Sequence, residues 1–215
     1  MDLDRYDASG LEEAQVEPGS RGQVLKNLLG IKSKRLMDQA EAREQLRAVD
    51  ELVFLHDREH RFTAGDIREI HRIWLGGLYA WAGKYRLVNV TKGDFPFAAA
   101  RHIPGLMEEL EKGPLRAYTP CNFVPHEEIA EALAVVHTDL LLIHPFRDGN
   151  GRAARILAIL MGLQADLPPL NFGGIQGKNR LKYFAAIQAG LDRDYGPMKE
   201  IFTGVIYETL RPRER

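Results

Sequence analysis

Apolar residues recur at gaps of three and four along most of the chain, a spacing typical of amphipathic helices. The clearest run extends from His126 to Ile143, where one core-facing edge is formed by Ile129, Leu133, Val136, Leu140 and Ile143. Further helices are predicted over 37–58, from Thr63 through Trp74, from Asn150 or Gly151 towards Ala165, over 178–190 and over 197–210. The pattern therefore predicts an all-α protein with one exception.

Residues 86–103 are that exception. Leu87–Thr91 has strand character, Lys92-Gly93-Asp94 is typical of a turn, and Phe95–Phe97 can return as a second short strand. A lone hairpin is only marginally stable by itself. We therefore predict a β-hairpin flap over a site rather than a part of a sheet core.

Local signals add detail to the helices. Thr63 with Asp66 forms a predicted capping pair, and Pro168-Pro169 ends the helix that begins near Asn150. In the helix over 37–58 the expected core-facing stripe consists of Leu46, Val49, Val53 and Leu55. Trp74 and Trp81 are predicted to lie in the core, and a packed, hydrogen-bonded role is predicted for His137.

The 215 residues are enough for one good core and few for two. We expect an N-terminal arm or leader over 1–36 and one helical domain over 37–215, with its motif-bearing core at about 63–210.

Composition and charge exclude several classes of protein. With 45% hydrophobic and 27% charged residues, the chain has the composition of a soluble globular protein. A net charge of −1 provides no general attraction for nucleic acid or an anionic membrane. The single cysteine, Cys121, excludes an internal disulfide and a cysteine-based zinc site, and it suits a reducing compartment. The acidic start MDLDRYD is unlike a secretory signal, and no apolar run reaches the ~18 residues of a membrane span. A cytoplasmic protein is expected.

Residues 144–155, His-Pro-Phe-Arg-Asp-Gly-Asn-Gly-Arg-Ala-Ala-Arg, concentrate the candidate chemistry between two apolar helices. Gly149 and Gly151 allow successive amide N–H groups to face one concavity, and the helix that begins there adds the positive end of its dipole. Arg152 and Arg155, three apart, project from one side of that helix and would repel each other without a multiply charged anion. We interpret the loop as a binding site for a nucleotide triphosphate.

Two further side chains complete this interpretation. Asp148 would oppose anion binding alone, but a carboxylate beside phosphate oxygens is a usual site for Mg²⁺. His144 can act as a general base that takes a proton from a hydroxyl. The loop is not a Walker P-loop, because GxxxxGK[ST] is absent. A Gly-x-Gly alone is usually only a turn and a lone arginine pair is usually solvated, so the prediction depends on the combination.

At these residues the chain resembles the Fic family, whose signature is His-x-Phe-x-(Asp/Glu)-Gly-Asn-Gly-Arg-x-x-Arg. All eight fixed positions match: His144, Phe146, Asp148, Gly149, Asn150, Gly151, Arg152 and Arg155. The likeness extends over roughly 63–210 and includes the Trp81–Arg86 segment before the flap. It implies an all-helical fold with a β-hairpin flap, and an activity that transfers AMP from ATP to a Ser, Thr or Tyr hydroxyl of a target protein with release of pyrophosphate.

The resemblance also implies residue roles. His144 would deprotonate the target hydroxyl, and Asp148 would hold Mg²⁺ between the α- and β-phosphates. The Gly149–Gly151 backbone and Asn150 would form the anion hole, with Arg152 on the inner phosphates and Arg155 on the γ-phosphate. Thr91, Lys92 and Gly93 are the flap candidates, where an extended target segment could add as a strand. Asn179 and Tyr183 would line the adenosine pocket.

Alternatives remain open at this stage. The same fold could use another nucleotide or transfer a phosphoryl group, although Doc-type relatives that phosphorylate lack the Gly-Asn-Gly-Arg found here at 149–152. The chain could also be a non-catalytic nucleotide- or partner-binding module, which would have no use for His144.

Many relatives carry an inhibitory (Ser/Thr)-x-x-x-Glu-(Gly/Asn) motif whose glutamate pairs with the second motif arginine. The nearest match, Ser9–Glu13, is followed by Ala14, so we interpret it as an incidental acidic stretch. We favour a separate, antitoxin-like inhibitory protein, or no control of this kind.

Overall fold

A computed structural model gives the fold of residues 11–175 and 178–211. The helices are α1 (Lys34–Leu55), α2 (Ala64–Leu75), α3 (Ile103–Leu110), α4 (Arg116–Tyr118), α5 (His126–Ile143), α6 (Asn150–Gln164), α7 (Lys178–Ala189) and α8 (Gly196–Leu210). The strands β1 (Thr91–Lys92) and β2 (Phe95–Pro96) form an antiparallel hairpin. The predicted all-α class with a hairpin flap is confirmed.

Helix α5 forms the centre of the molecule, because α8, α6, α3 and α7 all pack against it. Most of its residues are buried, including the predicted edge at Ile129, Leu133, Val136, Leu140 and Ile143. Helix α1 packs on α2, and α2 contacts α6. The loop between the end of α5 and the start of α6 is therefore surrounded by packed helices, so the candidate motif sits on a rigid support.

Local sequence signals set several of the helix boundaries. Thr63 and Asp66 form the predicted capping box, with each side chain hydrogen-bonded to the other residue's backbone N–H. Helix α1 begins at Lys34, three residues before the predicted start, because the Ser33 side chain caps its first turn. Trp74 and Trp81 are 0% and 4% exposed, which confirms their place in the core.

The predicted inward stripe of α1 is wrong. Leu46, Val53 and Leu55 are exposed, and Val49 is only half-buried. The face that meets the core instead carries the residues Met37, Ala40, Glu41, Ala48 and Leu52. Alanines let α1 approach its neighbours closely, and the inward Glu41 finds polar partners in the core. A buried carboxylate breaks the apolar periodicity on which the prediction relied.

Residues 103–118 are helical although the sequence analysis predicted no helix there. Pro104 lies in the first turn of α3, where a proline is tolerated. The segment continues through a π-helical turn at Glu111–Leu115, which contains Pro114, into the short α4. Prolines and glycines at 104, 105, 113 and 114 obscured this helix, because such residues usually interrupt one.

The flap strands are shorter than predicted. Thr91 pairs with Pro96 and Lys92 with Phe95, while Gly93 turns the chain at a φ of +58°. The 87–88 part of the predicted first strand does not join the hairpin, because its N–H groups donate to the carboxylate of Glu13 at 2.7 and 3.0 Å. The flap is thus attached at its base to the N-terminal segment.

The described part of the N-terminal segment lies against the helical body. Residues 12–14 form one 3₁₀ turn, Val16 bridges to Leu25, and Val24 is 2% exposed. Cys121 is a buried free thiol. Among the helices described, none has the length and apolar character needed to cross a membrane.

Candidate active site

A cavity of about 850 Å³ lies where the α5–α6 loop, the flap and α7 meet. The motif contributes His144, Asp148, Gly149, Asn150, Gly151, Arg152 and Arg155 to its lining. The flap contributes Val90, Thr91, Lys92 and Phe97, and α7 contributes Arg180, Tyr183, Phe184 and Ile187. A cavity of this size is in the range that takes a nucleotide-sized ligand. The motif residues predicted from sequence are therefore brought together at one cavity.

His144 ends α5 in the left-handed conformation, with φ 53° and ψ 58°. Its Nδ1 lies 3.2 Å from the carbonyl oxygen of Leu141. That carbonyl can only accept, so Nδ1 carries the proton and Nε2 keeps its lone pair. Burial lowers the pKa of His144 to about 4, and the Phe97 ring stacks on it at 3.6 Å between centroids. The imidazole is therefore neutral at physiological pH, in the form a general base requires.

Arg86 fixes the backbone around His144. Its guanidinium, 1% exposed, donates to the carbonyls of His144 at 2.7 Å, Val88 at 2.7 Å and Ala98 at 2.6 Å. Burial lowers its pKa. One buried cation thus joins both ends of the flap to the first residue of the motif. Its role is visible only in three dimensions, since these carbonyls lie up to 58 residues away in sequence.

Gly149 and Asn150 shape the motif loop. Gly149 has a φ of +82°, and a Cβ built on it would lie 2.8 Å from Cζ3 of Trp74, so the position requires glycine. The Asn150 side chain donates to the carbonyl of Phe146 and accepts from its N–H, both at 2.8 Å. Its amide is thus used to close the loop, and only the backbone of Asn150 is free for the predicted anion hole.

His71 also holds the motif loop, although the sequence analysis assigned it no role. Its Nδ1 accepts from the N–H of Gly83 at 2.9 Å, so Nε2 carries the proton and donates to the carbonyl of Asp148 at 3.0 Å. The ring stacks on Phe146 at 3.9 Å between centroids. Complete burial lowers its pKa to about 4 and keeps it neutral. His71 therefore connects α2 to the loop through hydrogen bonds to backbone groups.

Side chains of α1 and α2 hold Arg152 in place. Its Nη1 donates to Oε2 of Glu41, a carboxylate only 5% exposed, and its guanidinium carbon lies 4.6 Å from the centre of the Trp74 ring. Tyr79 donates to the other Glu41 oxygen at 2.7 Å, and the Trp74 indole donates to the Glu41 carbonyl at 2.9 Å. One edge of the guanidinium is thereby fixed while Arg152 still lines the cavity. Glu41 was missed because the apolar pattern alone does not identify a buried carboxylate.

Arg155 and Tyr183 meet on the α7 side of the cavity. The Tyr183 hydroxyl is hydrogen-bonded to Nε2 of His137, whose Nδ1 lies 3.3 Å from the carbonyl of Ala154. Burial lowers the pKa of His137 to about 3 and raises that of Tyr183 to about 12. The prediction that His137 is packed and hydrogen-bonded is confirmed.

Asp148 stands at the rim, with 57% of its side chain exposed. Its Oδ1 accepts from the N–H of Gly149 at 2.6 Å and lies 3.9 Å from Nη2 of Arg152. A carboxylate that faces bound phosphate oxygens is a donor of the kind that Mg²⁺ uses.

The flap and α7 add positive charge that the motif alone did not predict. Nζ of Lys92 lies 4.7 Å above the Phe184 ring, and partial desolvation of the ammonium group, together with the nearby Arg180, lowers its pKa. Gly93 forms the hairpin turn and does not line the cavity. In the described lining, five cations (Lys92, Arg147, Arg152, Arg155 and Arg180) face one carboxylate, Asp148. The cavity is strongly electropositive although the chain as a whole is nearly neutral.

Asn179 does not line the motif cavity. It lines a second cavity of about 380 Å³, and its side chain donates to the carbonyl of Gly174 at 2.9 Å. The face of α7 that meets the motif carries Arg180, Tyr183, Phe184 and Ile187, a helical repeat that leaves Asn179 on another side. Tyr183 borders both cavities. The predicted pairing of Asn179 with Tyr183 is thus not found in the motif cavity.

Glu13, the last residue of the near match to an inhibitory motif, does not reach the second motif arginine. Its carboxylate is used by the flap, as described above, and its carbonyl accepts from Nε of Arg147 at 2.8 Å. Ser9 and Gly10 lie outside the described residues.

Comparison with known proteins shows the family to which the chain belongs. The Fic/DOC family model matches residues 61–161. The Escherichia coli (strain K12) probable protein adenylyltransferase Fic is 33% identical over 151 residues, which are 66% of this chain and 68% of that protein. The Nematostella vectensis protein adenylyltransferase Fic is 29% identical over 172 residues, 77% of this chain. This chain spans only 38% of the length of the Nematostella relative.

A solved structure extends the likeness to the fold. The crystal structure of the BepC effector protein of Bartonella tribocorum, with bound AMPPNP, has a TM-score of 0.71 at 25% identity. The match covers 91% of this chain and 97% of that chain. With its complete motif, its helical fold and its flap, the chain belongs to the Fic/DOC family.

Proposed function

We propose that the chain is a protein adenylyltransferase that transfers AMP from ATP to a Ser, Thr or Tyr hydroxyl of a target protein. The observation that carries the proposal is a neutral imidazole inside a cavity whose described lining holds five cations and one carboxylate. ATP carries several negative charges on its phosphates, which match this lining. The names of the two Fic relatives and the AMPPNP bound to BepC support the same chemistry.

In the proposed reaction the target hydroxyl oxygen attacks the α-phosphorus of ATP. The new oxygen–phosphorus bond forms as the bond to the β-phosphate oxygen breaks, and pyrophosphate leaves. Nε2 of His144 accepts the hydroxyl proton, while its Nδ1–H stays on the Leu141 carbonyl. Because that contact and the Phe97 stack hold the ring, the base is oriented before substrate arrives.

Charge stabilisation falls to the motif and the flap. Arg152, Arg155 and the N–H groups at the start of α6 would neutralise the phosphates. Lys92 and Arg180 would close the cavity from the flap and from α7. Tyr183 would border the nucleoside.

Asp148 would hold a Mg²⁺ ion. Its exposed carboxylate lies in the cavity lining, beside the arginines expected to bind the phosphates, and this hard oxygen donor suits the ion. When bound, Mg²⁺ would neutralise phosphate charge and assist departure of pyrophosphate.

The target would approach at the flap. Thr91 and Lys92 form an exposed two-residue strand to which an extended segment could add. The Glu13 carboxylate already accepts hydrogen bonds from the base of the flap. We therefore further propose that inhibition of the activity, where it exists, comes from a separate antitoxin-like protein. The buried free thiol of Cys121 is consistent with a cytoplasmic setting.

The test is transfer of label to proteins of a cell lysate. With Mg²⁺ and ATP labelled on the α-phosphate, wild type should label a target and His144→Ala should not. Parallel reactions with ATP labelled on the γ-phosphate should give no labelled protein. Label from the γ-phosphate would indicate phosphoryl transfer instead. Tight ATP binding in calorimetry without any transfer would favour a binding module.

A further inference from the structure

A second cluster of ligating side chains lies at the junction of α1 and α2, outside the lining of the motif cavity. His56 follows the last residue of α1, His60 lies in the connection, and Asp66 is in the first turn of α2. One ligand atom from each of these three residues lies within 4.8 Å of the other two. His60 Nε2 is 3.1 Å from Oδ2 of Asp66. The spacing of these histidines in the sequence did not indicate a metal site.

His56 is the most informative member of the cluster. Both of its ring nitrogens are shielded from solvent, and neither has a hydrogen-bond partner in the described parts of the chain. Leaving buried polar atoms unpaired is costly, and such an atom calls for a partner. An imidazole nitrogen whose lone pair is unused is the kind of donor that a transition-metal ion binds.

The surroundings favour a cation. Oδ2 of Asp66 accepts hydrogen bonds from the N–H and the hydroxyl of Thr63 and lies beside Nε2 of His60, so the carboxylate is fixed next to the imidazoles. Asp57 and Glu69 add negative charge close enough to act on His56. The Phe62 ring lies edge-on against the His56 and His60 rings at 5.2 and 5.0 Å and limits their rotation.

We propose that His56, His60 and Asp66 form a structural site for a divalent transition-metal ion, with Zn²⁺ as the best match. Two imidazoles and one carboxylate are borderline and hard donors that Zn²⁺ accepts, and water would complete a tetrahedral site. The three donor atoms, which lie within 4.8 Å of one another, would have to close onto one ion at ~2.0–2.2 Å. Oδ2 of Asp66 already caps Thr63 and lies beside His60, so the same carboxylate would serve both the helix cap and the ion.

Such an ion would act on the scaffold of the motif. It would fasten the end of α1 to the start of α2, and these two helices carry Glu41 and His71, which hold Arg152 and the Asp148 backbone. Its contribution would therefore be to stability rather than to chemistry in the cavity.

The test uses the full chain after treatment with a chelator, without nucleotide. We expect one Zn²⁺ per chain by calorimetry with micromolar or tighter affinity, a visible tetrahedral spectrum with Co²⁺, and a higher Tm with either ion. His60→Gln, at a half-buried position, should weaken binding by roughly tenfold or more, and His56→Gln should do the same. Circular dichroism of each variant checks that it is folded.

Two controls locate the ion. His102→Gln removes an exposed histidine of the flap end, and His144→Gln removes the imidazole of the motif cavity; both should bind metal as wild type does. The proposal is overturned if no complex forms at micromolar ion, if binding survives in both His56→Gln and His60→Gln, or if His144→Gln abolishes it.

Discussion

At the scale of single residues, the pair of Arg152 and Glu41 decides how the motif presents its charge. Glu41 is almost completely buried and accepts hydrogen bonds from Arg152 and Tyr79. A carboxylate removed from water is stable only with such partners, and removing one partner of a buried pair leaves the other charge uncompensated. Arg152 itself is 28% exposed, so it can still recruit solvent on its cavity side. Glu41 therefore depends on Arg152 more than Arg152 depends on Glu41.

This asymmetry predicts a coupling that can be measured. Arg152→Ala should lower the free energy of unfolding by about 3 kcal/mol, because a buried carboxylate loses its cation, and Glu41→Gln should lower it by about 1–2 kcal/mol. The double variant should be less destabilised than the sum of the two. Urea denaturation at pH 7 measures these free energies. The control is Glu44→Gln, which removes an ion pair with Arg47 on the outer side of the same helix and should change the free energy of unfolding by less than about 1 kcal/mol. Strict additivity would contradict a direct interaction.

At the scale of elements, the flap acts on His144 through Phe97. The two rings are stacked at an angle of 15°, and burial is the main cause of the low His144 pKa. The hairpin itself has only two residues per strand, so its position depends on Arg86 and Glu13 at its base. The flap thus controls the environment of the general base as well as one wall of the cavity.

Replacing Phe97 by alanine should therefore raise the His144 pKa from about 4 by about one unit, since the imidazole becomes more hydrated. An NMR titration of the histidine ring protons measures the shift, with the His144→Gln spectrum providing the assignment. Leu87→Ala, at an exposed position before the hairpin, is the matched control and should leave the pKa unchanged. An unchanged pKa in Phe97→Ala would show that the burial comes from elsewhere.

The elements also show what sequence could and could not predict. Helices α5 and α6 and the motif between them follow from apolar spacing and from eight fixed residues. The inward face of α1 does not follow from the sequence. Glu41 lies inward, where Tyr79 outside this helix donates a hydrogen bond to it, and Leu46 is left exposed. Arg86 and His71 were missed as site residues because their partners are backbone groups distant in sequence. Periodicity reports which face is apolar, whereas long-range polar contacts appear only in the folded chain.

At the scale of the whole molecule, the interior contains titratable groups that must stay neutral. His71 and His137 are 0% and 2% exposed, lie on different helices and support opposite sides of the motif. Burial is the largest cause of both pKa shifts, to about 4 for His71 and about 3 for His137, and the charge of Arg155 adds to the second. In the unfolded chain both should return to about 6.5.

Stability should consequently fall as the pH is lowered from 7 to 5. In that interval the unfolded chain takes up protons on His71 and His137 and the folded chain does not, so each histidine removes about 2 kcal/mol from the free energy of unfolding. The stabilisation is complete above about 6.5 and is lost progressively towards the folded pKa values. Denaturant titrations of wild type and His137→Gln at pH 7 and pH 5 test this. Between these pH values the free energy of unfolding should fall by about 2 kcal/mol less in His137→Gln than in wild type, whatever the stability of the variant at pH 7. His102→Gln should keep the wild-type dependence, because that side chain is exposed. An equal loss in His137→Gln and wild type would mean that His137 already accepts a proton in the folded protein, against the burial that surrounds it.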